Sequence, residues 1–121
     1  MNMRTTTRTV GDVTIVDISG RIVLGEECDS LRSLVSDLLS EGHKKILLNL
    51  AEVNYIDSSG LGHMVSAYTT VGKQEGKLKL LKLTEKVRDL IQITKLDSVF
   101  EIMDDETVAV KSFGQSAAAT G

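Results

Sequence analysis

Aromatic side chains make up only 3% of this chain and tryptophan is missing. Aliphatic packing must therefore supply the core, and broad stacking platforms for single-stranded nucleic acid are excluded. Proline is absent altogether, no interior linker is visible, and 121 residues suit one domain around one core. The single cysteine, Cys28, cannot form an internal disulfide, in keeping with a reducing compartment. No apolar run approaches the roughly 18 residues of a membrane span, and the N-terminus lacks a signal core. Cytoplasmic residence is the expectation, with no membrane partner. An excess of positive charge is also lacking. Residues 1–60 hold six Lys/Arg against nine Asp/Glu, residues 61–121 hold eight of each, and the net charge is −3. No basic domain exists for a phosphate backbone, so no nucleic-acid partner is expected.

What is present is an alternation of strand and helix patterns. Val13, Ile15 and Ile18 predict a strand ended by Gly20, and Arg4 to Val10 can pair with it through a Gly11-Asp12 turn. Glu26 to Leu39 carries Leu31, Leu34, Val35, Leu38 and Leu39 at helical spacing, with Gly42 as a stop. Ile46 to Leu50 is nearly all apolar, the pattern of a strand buried on both faces at the sheet centre. A second helix follows through Leu61, Met64, Val65 and Tyr68 to about Gln74 or Glu75. Lys77 to Leu83 then reads as a strand whose lysines face solvent. Thr84 can cap a third helix with Val87, Leu90 and Ile91 buried, Val99 to Met103 reads as a last strand, and Asp104 and Asp105 suit the start of a final helix. The expectation is an α/β fold: a mixed sheet of four to five strands with about four helices, parallel except at its N-terminal edge. Residues 1–113 form the domain, and the small, polar 114–121 tail is expected to be disordered.

Function points to Asp57-Ser58-Ser59-Gly60-Leu61-Gly62, which follows the apolar run and opens a helix. Backbone N–H groups at a helix N-terminus lack intrahelical partners and the dipole there favours negative charge, so a phosphoryl group on Ser58 is tolerated locally. The plain alternative is an N-cap alone. A dinucleotide-binding turn is opposed by Val65 where a third glycine belongs. A serine hydrolase is opposed by the missing Gly-x-Ser-x-Gly elbow and by the five-residue separation of Ser58 from His63. Cys28, His43 and His63 are too scattered for a closed zinc site. Lys73, Lys77, Lys79, Lys82, Lys86 and Arg88, interspersed with Glu75, Glu85 and Asp89, read as a solvated face.

The run from Leu48 to Gly62, with Ser19-Gly20-Arg21-Ile22 before it, resembles the bacterial anti-sigma factor antagonists, whose domain is called STAS. The likeness covers about residues 8–113. It implies a phosphoprotein rather than an enzyme: Ser58 is phosphorylated by an anti-sigma factor that is also an ATP-dependent serine kinase, and a serine phosphatase reverses the step. The unmodified form then binds the anti-sigma factor and frees a sigma factor, a partner switch that regulates transcription. ATP binds the partner, so this chain needs no cofactor or metal. Asp57 would hold the loop, Ser59 would cap the helix, and Gly20, Arg21, Ser58, Gly60, Leu61 and Gly62 would meet the partner. Relatives often carry an acidic residue shortly after the Gly20 turn, where Val23 and Leu24 stand here; partner identity is left open by that departure. A STAS scaffold or effector-binding module without a phosphorylation cycle, and a small nucleotide-binding enzyme, are the competing readings.

Overall fold

Gly11 and Asp12 turn the chain back on itself, pairing β1 (Met3–Val10) antiparallel with β2 (Val13–Ile22), Val10 opposite Val13. The computed structural model describes residues 3–23 and 25–120, without the side chains of 26–28 and 114–120. Beyond the hairpin, helices alternate with parallel strands: α1 (Glu26–Ser40), β3 (Lys45–Ile56), α2 (Ser58–Lys73), β4 (Lys77–Leu81), α3 (Glu85–Ile93), β5 (Ile102–Met103) and α4 (Glu106–Thr120). The sheet order is β1-β2-β3-β4-β5, with β3 at the centre as expected.

The helices α1, α2 and α3 cover one face, where Leu31, Val35, Leu61, Met64, Val71, Val87 and Ile91 pack on Val16, Ile46, Leu48 and Leu80. The other face carries Val13, Ile15, Leu47 and Leu81 beneath Ala109 and Phe113 of α4. Covering both faces is what the nearly unbroken apolar run in β3 requires. No helix among the described residues is long and apolar enough to cross a membrane.

Several expectations are corrected. Lys79 is not solvated: α4 lies over it, the residue is 4% exposed, and its ammonium donates to Ser112 Oγ at 2.9 Å and pairs with Glu101 at 3.1 Å, above the Phe113 ring. β2 runs past Gly20 to Ile22, because irregularities in its pairing with β3 accommodate the positive φ of Gly20. Similarly, β3 extends to Ile56 instead of stopping near Leu50. β4 stops at Leu81, where Lys82 enters the left-handed region, and β5 is short because Leu96–Ser98 form a 3₁₀ turn that draws in Val99 and Phe100. Thr84 does take the N-cap position of α3, but its side chain makes no capping bond; its hydroxyl donates instead to the Val53 carbonyl at 2.7 Å and ties α3 to β3. The backbone of α4 runs as helix to Thr120.

One charged network joins the first and last elements. Arg8 donates to both carboxylate oxygens of Asp17 (2.6 and 3.1 Å) and both of Glu106 (2.9 and 2.7 Å). Hydrogen bonds from Arg8 hold both carboxyl groups below their ordinary pKa values. A depressed carboxylate stabilises the fold above its unfolded pKa, and that contribution fades as pH falls through the folded value. Arg8→Met is therefore expected to lower unfolding free energy at pH 7 by about 1 kcal/mol, given the partial exposure of all three groups. The deficit should narrow below about pH 5 in urea titrations at stepped pH; a deficit constant with pH would contradict the linkage.

Candidate functional site

At the junction of β3 and α2 the chain leaves the sheet through Asp57, whose backbone is extended. Its carboxylate accepts from Gly60 N–H at 2.7 Å, its carbonyl accepts from Leu61 N–H at 2.9 Å, and its N–H donates to the Ile22 carbonyl at 3.3 Å. Asp57 is thus the N-cap of α2. Ser59, expected to cap, is instead the second helical residue, too late in the chain for its side chain to reach back to the unpaired N–H groups. Its carbonyl accepts from His63 Nδ1 at 2.9 Å. Ser58 takes the first helical position and is exposed; among the described contacts its hydroxyl makes no hydrogen bond.

The glycines divide by environment. A Cβ on Gly60 would stand 2.2 Å from the Ile22 carbonyl oxygen, so the first turn of α2 rests directly on the end of β2. Leu61 is buried in the core beside it. Both residues are buried beneath the exposed Ser58 and Gly62. Gly62 has nothing within 4 Å of its Cβ position and faces solvent. The close approach at Gly60 is made to the protein's own backbone, which leaves no cradle there for a pyrophosphate.

From the neighbouring strand end, Arg21 lies opposite Tyr55 and Ile22 opposite Ile56. The Arg21 guanidinium sits 5.0 Å over the Tyr55 ring. Gly20, Arg21, Asp57, Ser58 and Ser59 therefore gather at the same ends of β2 and β3. Val23 is half-buried, and Leu24 falls outside the described residues. Among the described residues no group of three or more His, Cys, Asp or Glu side chains is placed to hold a metal ion.

Sequence reasoning missed an open groove of about 620 Å³ beside Ser58, walled by Tyr55 and by Lys86, Asp89, Leu90 and Ile93 of α3. The available signal was Ile93, an apolar residue off the Val87, Leu90 and Ile91 stripe; it is 77% exposed.

Gly60→Ala is expected to destabilise by at least 1–3 kcal/mol, roughly the cost of overpacking, because the obstructing atom is a backbone carbonyl. Gly62→Ala, in open space on a helix, should be neutral or stabilising by up to about 1 kcal/mol. Equilibrium denaturation of the two variants checks the contrast, and equal losses would refute it.

Comparison with known proteins gives this geometry a family. The STAS domain model matches residues 4–109. An anti-sigma-B factor antagonist of Bacillus subtilis is 39% identical over 64 residues, covering 53% of this chain and 59% of that protein. Across five relatives from Thermotoga, Bacillus and Listeria, named anti-sigma factor or anti-sigma-B factor antagonists, the match spans between 52% and 66% of the relative's length. Among solved structures, the anti-sigma factor antagonist SpoIIAA in its unphosphorylated form is 20% identical with a TM-score of 0.75, covering 90% of this chain and 95% of that one. The Bacillus cell fate determinant SpoIIAA in the phosphorylated form is 18% identical with a TM-score of 0.71, covering 90% and 98%. The parallel sheet with its antiparallel N-terminal edge, the capped turn after β3 and the match over nearly the whole domain place this chain in the STAS domain family.

Proposed function

We propose that this chain is an anti-sigma factor antagonist switched by phosphorylation of Ser58. The observation that carries the reading is the exposed Ser58 hydroxyl, without a hydrogen bond among the described contacts, while the adjacent Asp57 caps the helix. Supporting it, relatives carry the name anti-sigma-B factor antagonist, and the structural neighbour SpoIIAA is known in phosphorylated and unphosphorylated forms.

In this reading the chain catalyses nothing. A cytoplasmic anti-sigma factor that is also a serine kinase docks on the surface around Gly20, Arg21, Ser58 and Gly62, with Gly60 and Leu61 supporting it from below. The kinase transfers the γ-phosphoryl group of its own ATP to Ser58 Oγ: the new O–P bond forms as the bond to the departing ADP breaks, and the hydroxyl proton is lost. A serine phosphatase returns the hydroxyl by hydrolysis. The added charge of about −1.5 to −2 demands solvation or cations. One like-charge contact at about 4 Å costs on the order of 4 kcal/mol at an effective dielectric near 20. Each 1.4 kcal/mol is about tenfold in affinity, so one such contact separates tight from weak binding.

Incubation with a cognate anti-sigma factor kinase and ATP, followed by peptide mass mapping, should place one phosphoryl group on Ser58. Ser58→Ala should bind the kinase and resist release by ATP. Ser58→Asp should bind at least about tenfold more weakly, since it supplies part of the charge. Gly62→Val should weaken docking without unfolding the chain. Labelling elsewhere, or equal binding by the two serine variants, would overturn the reading.

A further inference from the structure

We propose that Lys86 is the cation that receives the phosphoryl group of Ser58 and holds it in the groove between α2 and α3. The inference rests on Ser58 being the modified residue and goes on to name what the modified residue pairs with.

Ser58 and Lys86 line the same open groove. Lys86 lies in the first turn of α3, exposed, and among the described contacts it has neither an ion pair nor a hydrogen bond. Among the described residues Lys86 is the one cation lining that groove, and the cation at the adjoining strand end, Arg21, is already stacked over the Tyr55 ring. A four-carbon stem lets the Lys86 ammonium sweep the groove and present three donors to phosphoryl oxygens.

The other titratable groups facing Ser58 make this pairing consequential. Asp57 on the β3–α2 turn and Asp89 on α3 both bring negative charge to the groove, which the Tyr55 ring also lines. A phosphoserine has a second pKa near 6. Two nearby carboxylates push it toward neutrality, which would leave the switch partly protonated at working pH. Lys86 opposes them and keeps the phosphoryl group doubly ionised. The pair also lays the phosphoryl group against Tyr55 and the exposed Ile93, apolar surface that a partner would otherwise cover.

The test uses the full chain with phosphoserine installed at position 58 during translation, so that no kinase is needed, and follows the ³¹P chemical shift against pH. Lys86→Gln should raise the phosphoryl pKa by about 0.5, the size expected of one exposed ion pair, and Lys86→Arg should leave it near the unsubstituted value. Asp89→Asn should lower it. A Lys86→Gln titration superimposable on the unsubstituted phosphoprotein would overturn the proposal. So would a response to Asp89→Asn without one to Lys86→Gln, which would place the phosphoryl group in the groove without Lys86 as its partner. Unfolding curves for each variant confirm that an exposed substitution leaves the fold intact. A kinase that fails to label Ser58 would defeat the functional reading and leave this titration interpretable on its own.

Discussion

The carbonyl oxygen of Ile22 is the atom on which the site depends. It accepts the N–H of Asp57, and the Cα of Gly60 closes over it so tightly that no side chain fits between. One atom at the end of β2 therefore fixes both where β3 ends and how α2 begins. With that turn fixed, the Asp57 carboxylate satisfies the third N–H of the helix. Ser58 is left pointing outward with no structural duty among the described contacts. A residue relieved of packing and capping is one that can be modified without unfolding the domain.

Much of this was readable from residue order. The hairpin, the alternation of helices with parallel strands and the central place of β3 follow from the spacing of Val13, Ile15 and Ile18, the Leu31 to Leu39 stripe and the apolar Ile46 to Leu50 run. The rest was hidden for physical reasons. In β3 the residues facing α1 to α3 are Ile46, Leu48, Leu50, Val53 and Ile56. Their spacing changes from two to three wherever the pairing with β2 shifts register, so a strict period of two loses the strand halfway. Lys79 alternates like a surface residue and is buried by a helix that arrives about thirty residues later. Similarly, the choice between Asp57 and Ser59 as cap turned on where extended backbone gives way to helix, a boundary that adjacent capping residues leave ambiguous.

Charge is distributed with a similar division of labour. The Arg8 network with Asp17 and Glu106 lies on the α4 face and joins the hairpin to the last helix, a stabilising role remote from the Ser58 turn. Around Ser58, by contrast, Lys86 has no ion pair among the described contacts, Arg21 is stacked on an aromatic ring, and Ile93 is exposed. In the proposed switch Lys86 and Ile93 meet partners from outside the resting fold, through modification or docking, while Arg21 is already held by Tyr55. A rigid turn surrounded by uncommitted side chains suits a surface that must engage a partner tightly and release it when one group is added.

The central claim is that the Ser58 hydroxyl is structurally idle while its neighbour Asp57 holds the turn. Paired denaturant unfolding of Ser58→Ala and Asp57→Ala tests it most directly. Ser58→Ala should fall within about 0.5 kcal/mol of the unsubstituted chain, as surface changes do. Asp57→Ala should lose about 1 kcal/mol, the usual cost of a lost cap. A loss at Ser58 equal to that at Asp57 would contradict the claim.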